Sequence, residues 1–268
     1  MKKKVPNIIN IEIPDDALFF ERCVILIIES NIEKGYAITK YDFDRYCAVL
    51  CKNLGLESLP EAYRNYCYKD GKLKDRIRYN IIRFSKESQS NISSDDHLFY
   101  KNYLREKINY RKTYIKKEIN RTGVNGIKHI NSSSYYYRNL LRIVSQIEDE
   151  ITLIQGYIPV KLSFEKLVHI YIKHAEETKF GDGAFKKRTF FEYDFDHIWT
   201  LLNSVLKQET QNILDHFMEV YIGKLLKEND KIRDYHRGFR KFSDIEFNGD
   251  LFALSIKHNG YIEKFHQL

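Results

Sequence analysis

Seven of the nine histidines fall within residues 169–268: His169, His174, His197, His216, His236, His258 and His266. Imidazole is the side chain best suited to moving protons near neutral pH. Fixed cations stand among them. Lys179, Lys186, Lys187 and Arg188 follow His174, the run RDYHRGF (233–239) sets Tyr235, His236 and Arg237 together, and Ser255 and Lys257 alternate in LFALSIK. A base, an acid and fixed positive charge are what RNA cleavage without a metal requires. One group takes the 2′-hydroxyl proton, another protonates the leaving 5′-oxygen, and Lys or Arg neutralises charge on the phosphorane. A lone histidine is more often structural, so only some of the seven are expected to act. His169 and His174 lie about 140° apart around a helix and do not share a face. His169 sits in the apolar run LVHIYI, whereas His174 nears the helix end beside the cationic loop, so His174 is the expected functional one.

The elements that must position these groups are legible in part. Ser163 can cap a helix over FEKLVHIYIKHAEE, and Asp194 or Asp196 can cap another carrying Ile198, Leu201, Leu202 and Val205. A further helix is expected across 211–227. Two Asn-Gly pairs, Asn248-Gly249 and Asn259-Gly260, sit at hairpin positions and predict strands near 243–247, 251–257 and 261–266 in an antiparallel meander. In such a strand Phe252, Leu254 and Ile256 share the buried face. Ser255 and Lys257 then project from the open one.

Upstream, the pattern is helical. Asp15 or Asp16 can open a helix running to about Ser30. Thr39 and Asp42 form a capping box ahead of a helix ending near Gly55, and Leu73 to Ser85 reads as another helix. A long helix is expected over about 97–120, after a cap at Ser94 or Asp95, with Leu104, Ile108, Ile115 and Ile119 on one stripe. Tyr135 to Ile154 reads as one more helix. The breakers Gly156 and Pro159 in QGYIPVKLS then mark the clearest boundary. The expected class is α+β: an all-helical domain over 1–155, then a small α+β domain over 160–268 with an antiparallel meander.

The chain has 268 residues and a formal net charge of +7. Residues 101–128 hold nine basic and two acidic side chains, which equals that whole excess. A basic stripe fits a polyanion, and Arg105, Arg111, Lys112 and Lys116 are its expected nucleic-acid contacts; a solvated helix face fits equally. Tyr100, Tyr103, Tyr110 and Tyr114 interleave with these bases and could stack on nucleobases, although at helical spacing such residues more often serve packing. The four cysteines Cys23, Cys47, Cys51 and Cys67 contain no CxxC, and His partners at zinc spacing are absent, so free thiols in a reducing cytosol are expected. No apolar run reaches membrane-spanning or signal-peptide length. No GxxxxGK[ST], HExxH or GxSxG occurs, and neither a metal nor a cofactor is expected.

The order of HIYIKHAEETKFGDGAFKKRTFF, IWTLLNSVLK and GDLFALSIKHNGYIEKFHQL resembles the barnase, EndoU, colicin and RelE group of small nucleases, above all its phage-associated and polymorphic-toxin members. His169-Ile170 through His174 matches the group's helix end, with Lys173 where Arg is common. Phe190-Phe191 matches its aromatic pair, and Gly249-Asp250 and Gly260-Tyr261-Ile262 its hairpin glycines. The closing aromatic-Pro is absent, and Phe265-His266 stands there. By position, the resemblance implies that His174 is the base or acid, that Ser255 and Lys257 touch the scissile phosphate, and that Lys179, Lys186 and Arg188 hold the backbone. His236 as a second catalytic group, with Tyr235 and Arg237 beside it on the substrate, comes from the chemistry alone.

The expected function is a cytoplasmic, metal-independent endoribonuclease acting on RNA, tRNA included. The group's settings are those of a toxin, an abortive-infection effector or a phage-derived protein, and a cognate inhibitor is a candidate partner. The same residues also fit a protein that binds nucleic acid, or a protein partner, without catalysis.

Overall fold

The computed structural model describes residues 19–68, 71–87, 91–121, 135–145, 147, 149–175, 190–226 and 239–268. The chain divides into two compact units, Met1–Ile108 and Asn109–Leu268. It is helical first and α+β afterwards, as expected. No helix among the described residues is long and apolar enough to cross a membrane.

The first unit holds α1 (Phe19–Glu33), α2 (Lys40–Leu54), α3 (Glu61–Tyr68), α4 (Gly71–Glu87) and the start of α5 (Ser94–Arg121). The Thr39 hydroxyl caps α2 by accepting from the Asp42 amide at 3.1 Å and itself donates to the Asp42 carboxylate at 2.6 Å. The helix ends at Gly55, as its glycine predicts. The cap of α5 is Ser93, one residue before the expected Ser94: its hydroxyl accepts from the Asp96 amide. Phe43 anchors the core, edge-on to Tyr63 at 5.4 Å and to Tyr66 at 4.9 Å. Tyr79 stacks on Tyr100 and Tyr103, so these two α5 tyrosines serve packing. All four cysteines are free thiols.

The second unit continues with α6 (Tyr135–Val144), β1 (Glu150–Ile154), β2 (Val160–Ser163), α7 (Phe164–His174), α8 (Ile198–Gln208), α9 (Thr210–Leu226), β3 (Phe239–Phe247), β4 (Asp250–Lys257) and β5 (Ile262–Gln267). The helix expected to reach Ile154 stops at Val144, and residues 150–154 pair antiparallel with β2. The boundary expected between 155 and 160 is therefore the turn of a hairpin. Leu140, Ile143, Val160, Leu162 and Phe164 all belong to one core, so the second unit starts at Asn109. Ser163 caps α7 as expected. Asp194 and Asp196 make no side-chain cap. Asp196 instead pairs with Arg142 at 2.6 Å and Asp194 with His197 at 3.5 Å.

The meander forms in the order β3-β4-β5. At the first turn Asn248 and Gly249 have φ of 53° and 86°, the paired positive values of a type I′ turn. Ile245, Phe252, Leu254, Ile256, Ile262 and Phe265 are buried and share the sheet's inner face. The second turn is held against the β1–β2 hairpin: the Lys161 amide donates to the Gly260 carbonyl at 2.8 Å, and Lys161 bridges to Tyr261.

Arg111 departs from its expected role on nucleic acid. It is 3% exposed. Its guanidinium donates to the Val144 carbonyl at 2.9 Å and the Ile147 carbonyl at 2.8 Å, and lies over the Phe164 ring. A base on a helix that looks amphipathic is here a clamp on the last carbonyl of α6 and on that of Ile147 beyond it. Arg111→Met is expected to leave both carbonyls without their donor and to cost about 3 kcal/mol, read as a lower urea midpoint.

Candidate active site

Among the described residues, α7 and β5 bring two imidazoles together. His174, the last residue of α7, stacks on His266 of β5 with ring centroids 5.4 Å apart and planes within 18°. His174 is held from behind: its carbonyl accepts from the Phe191 amide at 2.8 Å, and the Phe191 ring stands edge-on to it at 6.2 Å. Phe191 in turn packs on Phe265, at 5.3 Å, on the inner face of the sheet.

The position of His266 follows from the pleat. It pairs with Ala253, and Lys264 pairs with Ser255, which pairs on its other side with Lys241. Directly opposed residues share a face. His266, Lys264, Ser255 and Lys241 therefore stand together on the face opposite Phe252 and Leu254. Lys241 and Lys264 are exposed and make no ion pair among the described residues. Burial, then the charges of Lys241 and Lys264, push the His266 pKa below its ordinary value. Its Nδ1 is buried without a hydrogen-bond partner among the described residues. His266 is thus neutral near pH 7, beside a second imidazole and within electrostatic range of two lysines.

A network tightens this end of the sheet. Buried Gln267 accepts from the Glu192 amide at 2.7 Å and donates to Asp250 at 3.2 Å, and Asp250 also accepts from the Tyr193 hydroxyl at 2.7 Å. Burial and the Asp250 carboxylate push the Tyr193 pKa up to about 12. These contacts fix residues 191–193 along β5, and with them the backbone that holds His174.

The other expected site residues fare differently. Ser255 lies on the predicted face but is 4% exposed, so that face is not open there. The cause is that β4 is the central strand, flanked on both sides by longer side chains. Lys257 is committed to an ion pair, 2.6 Å from Glu263, which also meets Lys166 at 3.3 Å. The expected contacts Lys179, Lys186, Arg188, Tyr235, His236 and Arg237 lie outside the described residues. On α5, Arg105, Lys112 and Lys116 are exposed, and Arg105 donates to Asn102. Tyr110 and Tyr114 pack against Phe164. No group of three or more metal-capable side chains occurs among the described residues.

His266, Lys241 and Lys264 escaped the sequence reading. Period-2 alternation on β5, with Phe265 inward, finds Lys264 and His266; Lys241 lies ahead of the expected strand, and the register shift between Phe242 and Ile245 is what turns it to that face.

The depressed pKa values have a consequence for stability. Burial and the neighbouring charges of Arg240 and His258 lower His216, as burial, Lys241 and Lys264 lower His266. Between each lowered folded value and the unfolded value near 6.5, the unfolded chain binds more protons, so stability rises with pH. Their contribution is complete above the unfolded value and is lost as pH falls through the folded one. The urea midpoint is expected to drop from pH 7.5 to pH 5, and the drop to shrink in a His216→Gln, His266→Gln double variant.

No family model, no curated protein and no solved structure matches this chain. The chemistry has to be read from the residues themselves.

Proposed function

We propose that the second unit is a metal-independent endoribonuclease of the barnase, EndoU, colicin and RelE kind, with RNA as its substrate. The observation that carries this reading is the stacked His174–His266 pair beside Lys241 and Lys264, the two cations that flank Ser255 across the sheet. His266, neutral near pH 7, takes the proton of the 2′-hydroxyl. The 2′-oxygen attacks the adjacent phosphorus, and the bond from phosphorus to the 5′-oxygen breaks. His174, protonated, gives its proton to that leaving oxygen. Lys241 and Lys264 offset the negative charge that builds on the phosphorane. The products are a 2′,3′-cyclic phosphate and a 5′-hydroxyl. Relative to the sequence reading, His174 keeps its role, His266 supplies the second proton-transfer group, and buried Ser255 drops back to a place between Lys241 and Lys264. Lys257, paired with Glu263, gives way to those two lysines, which have no ion pair among the described residues. The resemblance also carries the toxin or defence setting, with a cognate inhibitor as a candidate partner, while the four free thiols support a reducing, cytoplasmic location.

Exposed Lys112 and Lys116 support the alternative, a protein that binds nucleic acid without cutting it. Incubation with total RNA and with tRNA in EDTA separates the two. Cleavage that survives chelation and leaves cyclic phosphate ends is expected. RNA that is retained by the protein yet stays intact would replace the enzyme with the binding module.

A further inference from the structure

A second histidine cluster stands where α9 meets β3 and the turn after β4. His216 of α9 lies 6.2 Å from His258 by ring centroid and edge-on to Phe242 of β3 at 6.0 Å. The guanidinium of Arg240 sits 6.0 Å from the same Phe242 ring. Arg240 and His258 both act electrostatically on His216 in the direction that resists its protonation, against one carboxylate, Glu219, that acts the other way. The Nε2 of His216 is buried and has no hydrogen-bond partner among the described residues.

A buried ring nitrogen without a partner costs free energy that a ligand can recover. The surroundings decide which ligand. A metal ion would meet the fixed charge of Arg240. An oxyanion would gain from it, since a guanidinium offers a planar fork of donors matched to phosphate. We propose that His216, His258 and Arg240 form a binding site for a phosphate-type oxyanion. The site does not depend on the ribonuclease reading: Arg240 and Phe242 pair with Ile256 and Leu254 on the inner face of the sheet, opposite the face that carries His266. Bound anion accepts from the imidazoles and from Arg240, and raises the affinity of His216 for its proton.

Titration of the ¹⁵N-labelled full chain with inorganic phosphate, read on the histidine ring resonances against chloride at matched ionic strength, tests this. Saturable shifts of His216 and His258 are expected, with an upward move of the His216 titration midpoint. Arg240 is exposed, so its replacement leaves the core intact. Arg240→Ala is expected to weaken phosphate binding by about tenfold or more, and Arg240→Lys by less, because charge is kept while the fork is lost. Shifts that chloride reproduces, that never saturate, or that persist unchanged in Arg240→Ala overturn the site.

Discussion

Replacing His266 with alanine is expected to lower RNA cleavage by about 10²- to 10⁴-fold, and His174→Ala by a similar factor. Each change removes one end of the proposed two-proton transfer. Because the groups act in one step, the double variant is expected to lose far less than the product of the single losses. The pH profile carries the distinguishing signature. A base and an acid in one site give a bell, with the limb on the acid side set by the depressed His266. His266→Ala should abolish that limb, whereas a purely structural histidine would lower the rate at every pH alike. Binding of an uncleavable RNA carrying 2′-methoxy groups should persist in both variants, since Lys241 and Lys264 remain. A rate unchanged by either substitution would move the chemistry away from this pair.

Gly260→Ala is expected to be the most damaging single substitution outside that pair. Gly260 has a φ of 86°, and a β-carbon there would stand 2.0 Å from the Pro159 carbonyl oxygen. The left-handed backbone alone costs an L-residue about 1–2 kcal/mol. The clash is with backbone, so relief requires the β4–β5 turn to move away from the β1–β2 hairpin. That breaks the hydrogen bond from the Lys161 amide to the Gly260 carbonyl and pulls Tyr261 from Glu150, to which its hydroxyl donates. The sum is about 3–5 kcal/mol, read as a large fall in Tm with loss of strand signal in circular dichroism. Gly249→Ala is the control. Its φ is also 86°, but nothing lies near its β-carbon, so only the backbone term applies.

The same two turns show what could be read from the chain alone. Asn-Gly is a local signal with a local cause, so both turns and the alternation of Phe252, Leu254 and Ile256 were legible. So were the caps at Thr39 and Ser163, which need only a hydroxyl three residues from an amide. Arg111 was not, because nothing in a run of bases says which one meets the carbonyls of Val144 and Ile147. Nor was the β1–β2 hairpin: residues 150–154 show no break from the helical pattern of 135–144, and their strand state comes from pairing with residues 160–163. The candidate site was half legible for the same reason. His174 stood out by its place at a helix end, while its partner is fixed by a tertiary contact between α7 and β5.

The stacking of His174 on His266 also bears on how the molecule would acquire the proposed activity. Strands β3 to β5 are joined by short turns and can associate early. The ring pair closes a loop of roughly ninety residues, and contacts at such separation form late in folding. A species with a finished meander and an undocked α7 would have its secondary structure and no function. In refolding from urea, far-ultraviolet ellipticity should recover before cleavage does, and the lag between them would time the arrival of one imidazole over the other.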